Sequence, residues 1–264
     1  MTATFLGMVH LAALPSARRG GDFEPVLEAA LADARALAAG GVDGIFVENF
    51  NDAPFHRGTR DDPVAPDVPA ALAVAARTIR LETGLPVGVN CLRNDAVAAI
   101  GAATVAGARW IRVNVLTHCY VTDQGRIDGE AARLAAYAKQ IGARVQILAD
   151  VLVKHAVPLA AAPLEVLVRD LIERAGADGV IVSGRRTGAA VDAEQLATVR
   201  GLAGDFPVWI GSGLTADNAA RLLPLCDGAI VGSSLQVVGA DGRRRVDVAR
   251  VRQLRAAFDA PRAG

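Results

Sequence analysis

Short apolar runs recur along the chain, each followed by an alanine-rich stretch whose apolar residues return at helical spacing. The runs cover 4–10, 43–49, 86–92, 109–115, 144–150, 178–184, 207–213 and 227–233. Their length and β-branched content predict buried strands. Between the first two, residues 24–40 place Val26, Leu27, Ala30, Leu31, Ala34 and Leu37 on one helix face. Pro25 stands in the first turn and Gly40-Gly41 at the end, a helix start and stop. Further helix patterns span 162–177 and 246–259. This alternation predicts an α/β fold, a (β/α)8 TIM barrel forming a single domain over residues 1–264. An open doubly wound sheet fits less well: no GxGxxG follows the first run, and no second-domain boundary interrupts the beat.

Composition narrows this. The chain is 52% hydrophobic but only 4% aromatic, which predicts a core of Val, Ile, Leu and Ala. Lys plus Arg (28) balances Asp plus Glu (28), so no general charge draws nucleic acid or an anionic membrane. Cys91, Cys119 and Cys226 form no CxxC pair, which argues against a zinc site or a disulfide framework and fits a reducing compartment. The apolar segment near the N-terminus has its basic residues, Arg18 and Arg19, behind it, the wrong order for a signal peptide. No run approaches the ~20 apolar residues of a membrane span. The expectation is a cytoplasmic protein without integral membrane association, with room for a homo-oligomer.

Side chains alternate across a strand, so residues of one parity share a face. Leu6, Met8 and His10 then point one way, as do Phe46 with Glu48, Gly88 with Asn90, Arg112 with Asn114, and Leu148 with Asp150. Inner positions are apolar or small until the C-terminal end of each strand, with Arg112 one step deeper than Asn114. A barrel keeps its chemistry at that end. His10, Glu48, Asn90, Arg112, Asn114 and Asp150 therefore converge on one predicted cavity. They would either satisfy one another as an ion-pair network or meet a ligand; burying so many polar groups without one is unfavourable.

The runs 207–213 and 227–233 end in small turns, Gly211-Ser212-Gly213 and Gly232-Ser233. Thr215, Asp217 and Asn218 follow the first, where a helix starts. Glycine lets the backbone approach an anion, helix starts offer free N–H groups, and barrels use the loops after strands seven and eight for phosphate. "SGRRTG" (183–188) adds Arg185, Arg186 and Thr187, which would either contact a second anionic group or remain solvated loop charges.

Of 28 basic residues only two are lysine, Lys139 and Lys154. A lysine, unlike an arginine, can lose its proton when desolvated and act as a base or a Schiff-base nucleophile. Lys154 keeps the parity of Asp150 if the extended chain continues, and the carboxylates Asp150 and Glu48 would hold it protonated as an ionic partner for substrate. His155, of opposite parity, would be a packing residue or support the site from behind its lining side chains. Glu48, Asp150 and His10 would also suit Mg²⁺ or Mn²⁺, although no HxH motif supports a metal.

Taken together, "GMVHLAALP" (7–15), "VENFNDAPF" (47–55), "GVNCLRND" (88–95), "IRVNV" (111–115), "TDQG" (122–125), "ADVLVKHAVPL" (149–159), "GSGLTADN" (211–218) and "DGAIVGSSL" (227–235) resemble the BtpA/SgcQ family. The resemblance covers nearly the whole chain. It implies a ribulose-phosphate-binding type of barrel, cytoplasmic or peripheral, in a family named for photosystem I biogenesis with relatives in sugar utilisation. Two expectations follow. One is an enzyme acting on a sugar phosphate or nucleoside-derived phosphate by isomerase, epimerase, lyase or glycosyl-bond chemistry. Its catalytic groups would be Glu48, Asp150 and Lys154. The other is a non-catalytic assembly factor that binds a metabolite or a client protein. The segment 48–69, long for a strand-to-helix loop, would be a lid.

Overall fold

The computed structural model describes residues 3–184, 190–240 and 242–260. Eight parallel strands close into a barrel: β1 (Thr4–His10), β2 (Gly44–Glu48), β3 (Val87–Asn90), β4 (Trp110–Val113), β7 (Gln146–Asp150), β9 (Gly179–Val182), β10 (Val208–Ile210) and β11 (Gly228–Val231). Each falls within one of the apolar runs. Around the ring the order is β1, β11, β10, β9, β7, β4, β3, β2, so every strand pairs with its chain neighbours in the barrel and β1 closes on β11.

Helices α1 (Phe23–Gly40), α2 (Asp67–Thr83), α3 (Ala96–Ala106), α4 (Ala131–Gln140), α5 (Leu164–Arg169), α6 (Ala193–Ala203), α7 (Ala216–Leu222) and α8 (Val248–Asp259) alternate with the strands. Helix α1 stops at Gly41, whose φ of 92° is a left-handed cap that glycine adopts without strain. Helix α8 starts at an Asp247 side chain that accepts from the Arg250 N–H. The sequence pattern over 162–177 is realised differently: α5 gives way at Asp170 to a π-helical segment, Asp170–Arg174.

The aliphatic core expected from composition lies between barrel and helices, where Ala34, Leu37, Leu72, Ile79, Ala103 and Val199 are fully buried. The barrel interior corrects that expectation. Leu6, Met8, Phe46, Trp110, Leu148, Ile181, Trp209 and Ile230 fill it, so both tryptophans of the chain are here. Large rings fit because facing positions are small: a Cβ on Gly88 would stand 2.6 Å from the Phe46 ring.

Three short strands were not foreseen. β5 (Cys119–Thr122) and β6 (Gly125–Asp128) form a hairpin in the loop after β4, and β8 (Ala156–Pro158), in the loop after β7, pairs antiparallel with β5. A second hairpin, β12 (Gln236–Val238) with β13 (Arg244–Val246), precedes α8 and takes up the start of the segment read as the last helix. Among the described residues, no helix is long and apolar enough to cross a membrane.

Candidate functional site

Parallel pairing lines up the polar strand tips. His10 pairs with Glu48, Glu48 with Asn90, and Asn90 with Arg112, a continuous row across β1, β2, β3 and β4. Above the aromatic floor opens a cavity of about 610 Å³ at the C-terminal mouth, walled by His10, Glu48, Arg112, Asn114 and Lys154, with Gly211, Ser212, Gly232 and Ser233 along one side. The expected convergence therefore holds for these residues. Asn90, Asp150 and Gly213 do not wall it, and Thr187, with Arg185 and Arg186, lies outside the described residues.

Asp150 lies behind the wall because it is fully engaged. Arg112 donates to it twice, from Nε at 2.9 Å and Nη2 at 2.8 Å. Asn114 Nδ2 donates at 3.1 Å and Ser183 Oγ at 3.1 Å. Arg112 also donates to the Gly211 carbonyl at 3.1 Å. Both members of the pair are buried, and Asp150, with four donors on two oxygens, has little capacity left to accept a substrate proton. Asn114 and Ser212 both line the cavity, and their side-chain oxygens, Asn114 Oδ1 and Ser212 Oγ, are buried without a protein partner. Such orphaned atoms are unfavourable unless a ligand meets them.

Glu48 and His10 are the open pair. Asn90 Nδ2 donates to Glu48 Oε2 at 2.5 Å, leaving Oε1 toward His10 Nε2, 3.7 Å away. Gln236 Nε2 lies 3.1 Å from His10 Nδ1, and an amide nitrogen can only donate. Nδ1 is then the acceptor, and the ring proton sits on Nε2, facing Glu48. Burial pushes the His10 pKa below its ordinary value, against the pull of Glu48, so the ring is neutral near pH 7. Phe50 packs on it at 4.4 Å between ring centroids.

Lys154 reaches the cavity by a route the parity argument did not give. β7 ends at Asp150, the chain turns, and β8 begins at Ala156. The ammonium is held less firmly than expected: burial and the nearby Arg112 outweigh the attraction of Asp150 and Glu48 and lower its pKa to about 8, so it stays mostly protonated near pH 7 with a minor neutral fraction. Neither expected role for His155 matches its place: it is exposed, has φ 53° and itself borders the cavity.

The Gly-Ser turns differ in detail from the expected anion cradle. Helix α7 does begin after Thr215, and a capping box between Thr215 and Asn218 takes up the N–H groups of those two residues. Gly211 makes room for side chains: a Cβ there would lie 2.5 Å from Ser183 Oγ and 2.9 Å from Arg112 Nη2. The polar groups left on this rim are Ser212 and the short 3₁₀ turn Ser233–Leu235.

Arg93 was not singled out in the sequence, although it sits in the quoted "GVNCLRND". It is buried to 8% exposure, walls the cavity, and donates from Nη2 to the Lys154 carbonyl at 2.5 Å. Arg18, Arg19, Asp123 and Gln124 complete the rim. Among the described residues, no group of three or more His, Cys, Asp or Glu is placed to hold a metal, because Asp150 is committed to Arg112 rather than turned toward Glu48. The long loop after β2 is tied down: Asp52 accepts from the Leu14 N–H at 2.8 Å and Asn49 Nδ2 at 3.0 Å, and Asn49 Oδ1 accepts from the Leu92 N–H at 2.7 Å.

A model of the BtpA family matches residues 1–259. A Synechocystis protein described as photosystem I biogenesis protein BtpA is 48% identical over 88% of this chain and 79% of its own length. An uncharacterized protein of Thermococcus kodakarensis is 44% identical over 94% of this chain and 92% of its own. Among solved structures, N-(5'-phosphoribosyl)anthranilate isomerase from Pyrococcus furiosus aligns at TM-score 0.54 and 17% identity, covering 97% of this chain and 98% of that one. 3-Hexulose-6-phosphate synthase from Salmonella typhimurium aligns at TM-score 0.58 and 16% identity, covering 98% of each. At these identities the likeness to the solved structures is one of fold.

Proposed function

The chain belongs to the BtpA family, and from that premise we propose that it is an enzyme acting on a phosphorylated small molecule at the C-terminal mouth of its barrel. The observation that carries this reading is one cavity that brings Lys154, whose pKa is lowered to about 8, together with Glu48, His10 and the turns at Ser212 and Ser233. Ser212 and Ser233 hold the phosphate on the β10–β11 side. Lys154, neutral in a minor fraction of molecules near pH 7, works at a carbonyl carbon as base or imine-forming nucleophile. Glu48, oriented by Asn90, exchanges the second proton with His10 beside it. Asp150 is a positioning residue that fixes Arg112 and Asn114. The solved barrels named as a phosphoribosylanthranilate isomerase and a hexulose-6-phosphate synthase share this fold, which adds analogy only.

The competing reading, a non-catalytic assembly factor, draws on the name of the Synechocystis relative. The inward placement of the charged groups favours the enzyme. Thermal-shift titration with inorganic phosphate and a panel of pentose and hexose phosphates tests it on wild type and Lys154→Met. A ligand at 100 times its Kd stabilises by about 2.7 kcal/mol, a shift of several degrees. Stabilisation of wild type that weakens in the variant supports the proposal. No stabilisation of either protein by any of these compounds would sink it.

A further inference from the structure

The cavity holds more positive charge than one phosphate would meet. Arg18, Arg19, Arg93 and Lys154 face it, opposed by Glu48 and Asp123, while Arg112 is already neutralised by Asp150. Arg93 is the cation whose placement has no internal explanation. As a residue it is only 8% exposed, yet among the described residues no carboxylate lies within ion-pair distance of it. Among the described residues its side chain makes one hydrogen bond, the donation to the Lys154 carbonyl, while its backbone N–H donates to the His56 carbonyl. A buried cation left without a counter-ion is unfavourable by several kcal/mol. The attractions of Asp150, Asp123 and Glu48 act only at longer range, and burial dominates, lowering the Arg93 pKa. Arg112 and Lys154 on the same side add repulsion.

Its position in the ring is equally telling. Arg93 follows β3, which stands four strands round from β10, the strand that ends at Ser212. In an eight-stranded ring these strands are on opposite sides, and from there the guanidinium reaches toward the loop after β7, at the Lys154 carbonyl.

Resting on the reading of the site as a phosphosubstrate pocket, we propose that its ligand carries two anionic groups, a phosphate at Ser212 and Ser233 and a second phosphate or carboxylate paired with Arg93. Arg93 is on this account the residue that selects doubly anionic ligands over monophosphates. Its fork suits bidentate pairing with either kind of anion.

Calorimetric titration of the full chain with a pentose 5-phosphate, a pentose 1,5-bisphosphate and a phosphorylated sugar acid tests this. The expected result is that at least one doubly anionic compound binds about tenfold or more tightly than the monophosphate, a gap of about 1.4 kcal/mol. Arg93→Gln collapses that ratio toward one, and Arg93→Lys restores part of it. Which doubly anionic compound gains identifies the second group. Equal binding of all three by wild type overturns the inference while leaving the phosphosubstrate reading standing, and needs no variant to fold. An undiminished ratio in Arg93→Gln overturns the role of Arg93. Absence of binding by every compound overturns both.

Discussion

Arg112 and Asp150 face each other through two parallel hydrogen bonds of 2.9 and 2.8 Å, both buried, with Arg112 in the cavity wall and Asp150 behind it. Each oxygen of the carboxylate accepts a second donor, from Asn114 or Ser183. The pair joins β4 to β7, and through the Gly211 carbonyl it reaches the end of β10.

Breaking it from one side leaves a buried guanidinium unpaired. Asp150→Ala is expected to lower stability by about 3–5 kcal/mol, whereas the apolar double replacement Arg112→Met with Asp150→Leu loses far less. Urea denaturation of the three proteins checks this. Equal losses in single and double variants would show that the pair acts only as packing.

Lys154 gives a pH signature. Its pKa falls from 10.5 in the unfolded chain to about 8 in the folded one. Between those values the unfolded chain binds more protons, so stability rises with pH across about 8 to 10.5. Below about pH 8 the buried ammonium is a standing cost. Lys154→Met is expected to be more stable than wild type at pH 7 and to lose the rise, as read from urea midpoints at stepped pH. A wild-type profile that is flat over this window contradicts the lowered pKa.

Gln236 fixes the protonation of His10 by donating to Nδ1. Gln236→Glu would offer an acceptor instead, favouring a proton on both nitrogens. The imidazole midpoint, below 6.5 in wild type, is expected to rise by a unit or more, followed by nitrogen-detected NMR. An unmoved midpoint would mean that burial alone governs this ring.

Gly211→Ala places a methyl 2.4 Å from Ile181 Cγ2 and 2.5 Å from Ser183 Oγ. Overpacking of this kind typically costs about 1–3 kcal/mol, and here it also pushes on Arg112. The thermal midpoint is expected to fall and phosphate binding to weaken with it. Retained binding with lowered stability would separate the turn from the ligand.

The fold was legible because a barrel strand leaves two independent marks, an apolar run and a polar residue of the right parity at its tip. His10, Glu48 and Arg112 follow that rule. Parity carries no lateral information, so it could place Arg112 and Asp150 in one cavity without revealing that they bind each other and withdraw the carboxylate from it. It also fails where a strand ends. Lys154 and Arg93 both lie beyond their strands, on turns whose course is set by contacts distant in sequence, such as the bond from Arg93 to the Lys154 carbonyl. The strands β5, β6 and β8 are three or four residues each, too short for periodicity to distinguish them from loop. The interior tryptophans escaped because composition counts residues without saying which layer they occupy.

The pairing of β8 with β5 has a consequence for anyone transplanting this mouth onto another barrel. Two excursions separated by a whole strand–helix unit are stitched to each other by backbone bonds, so neither can be exchanged alone without unseating the amine that the other steadies. They would have to travel as one cassette, and length changes in the first hairpin should register as altered reactivity in the second.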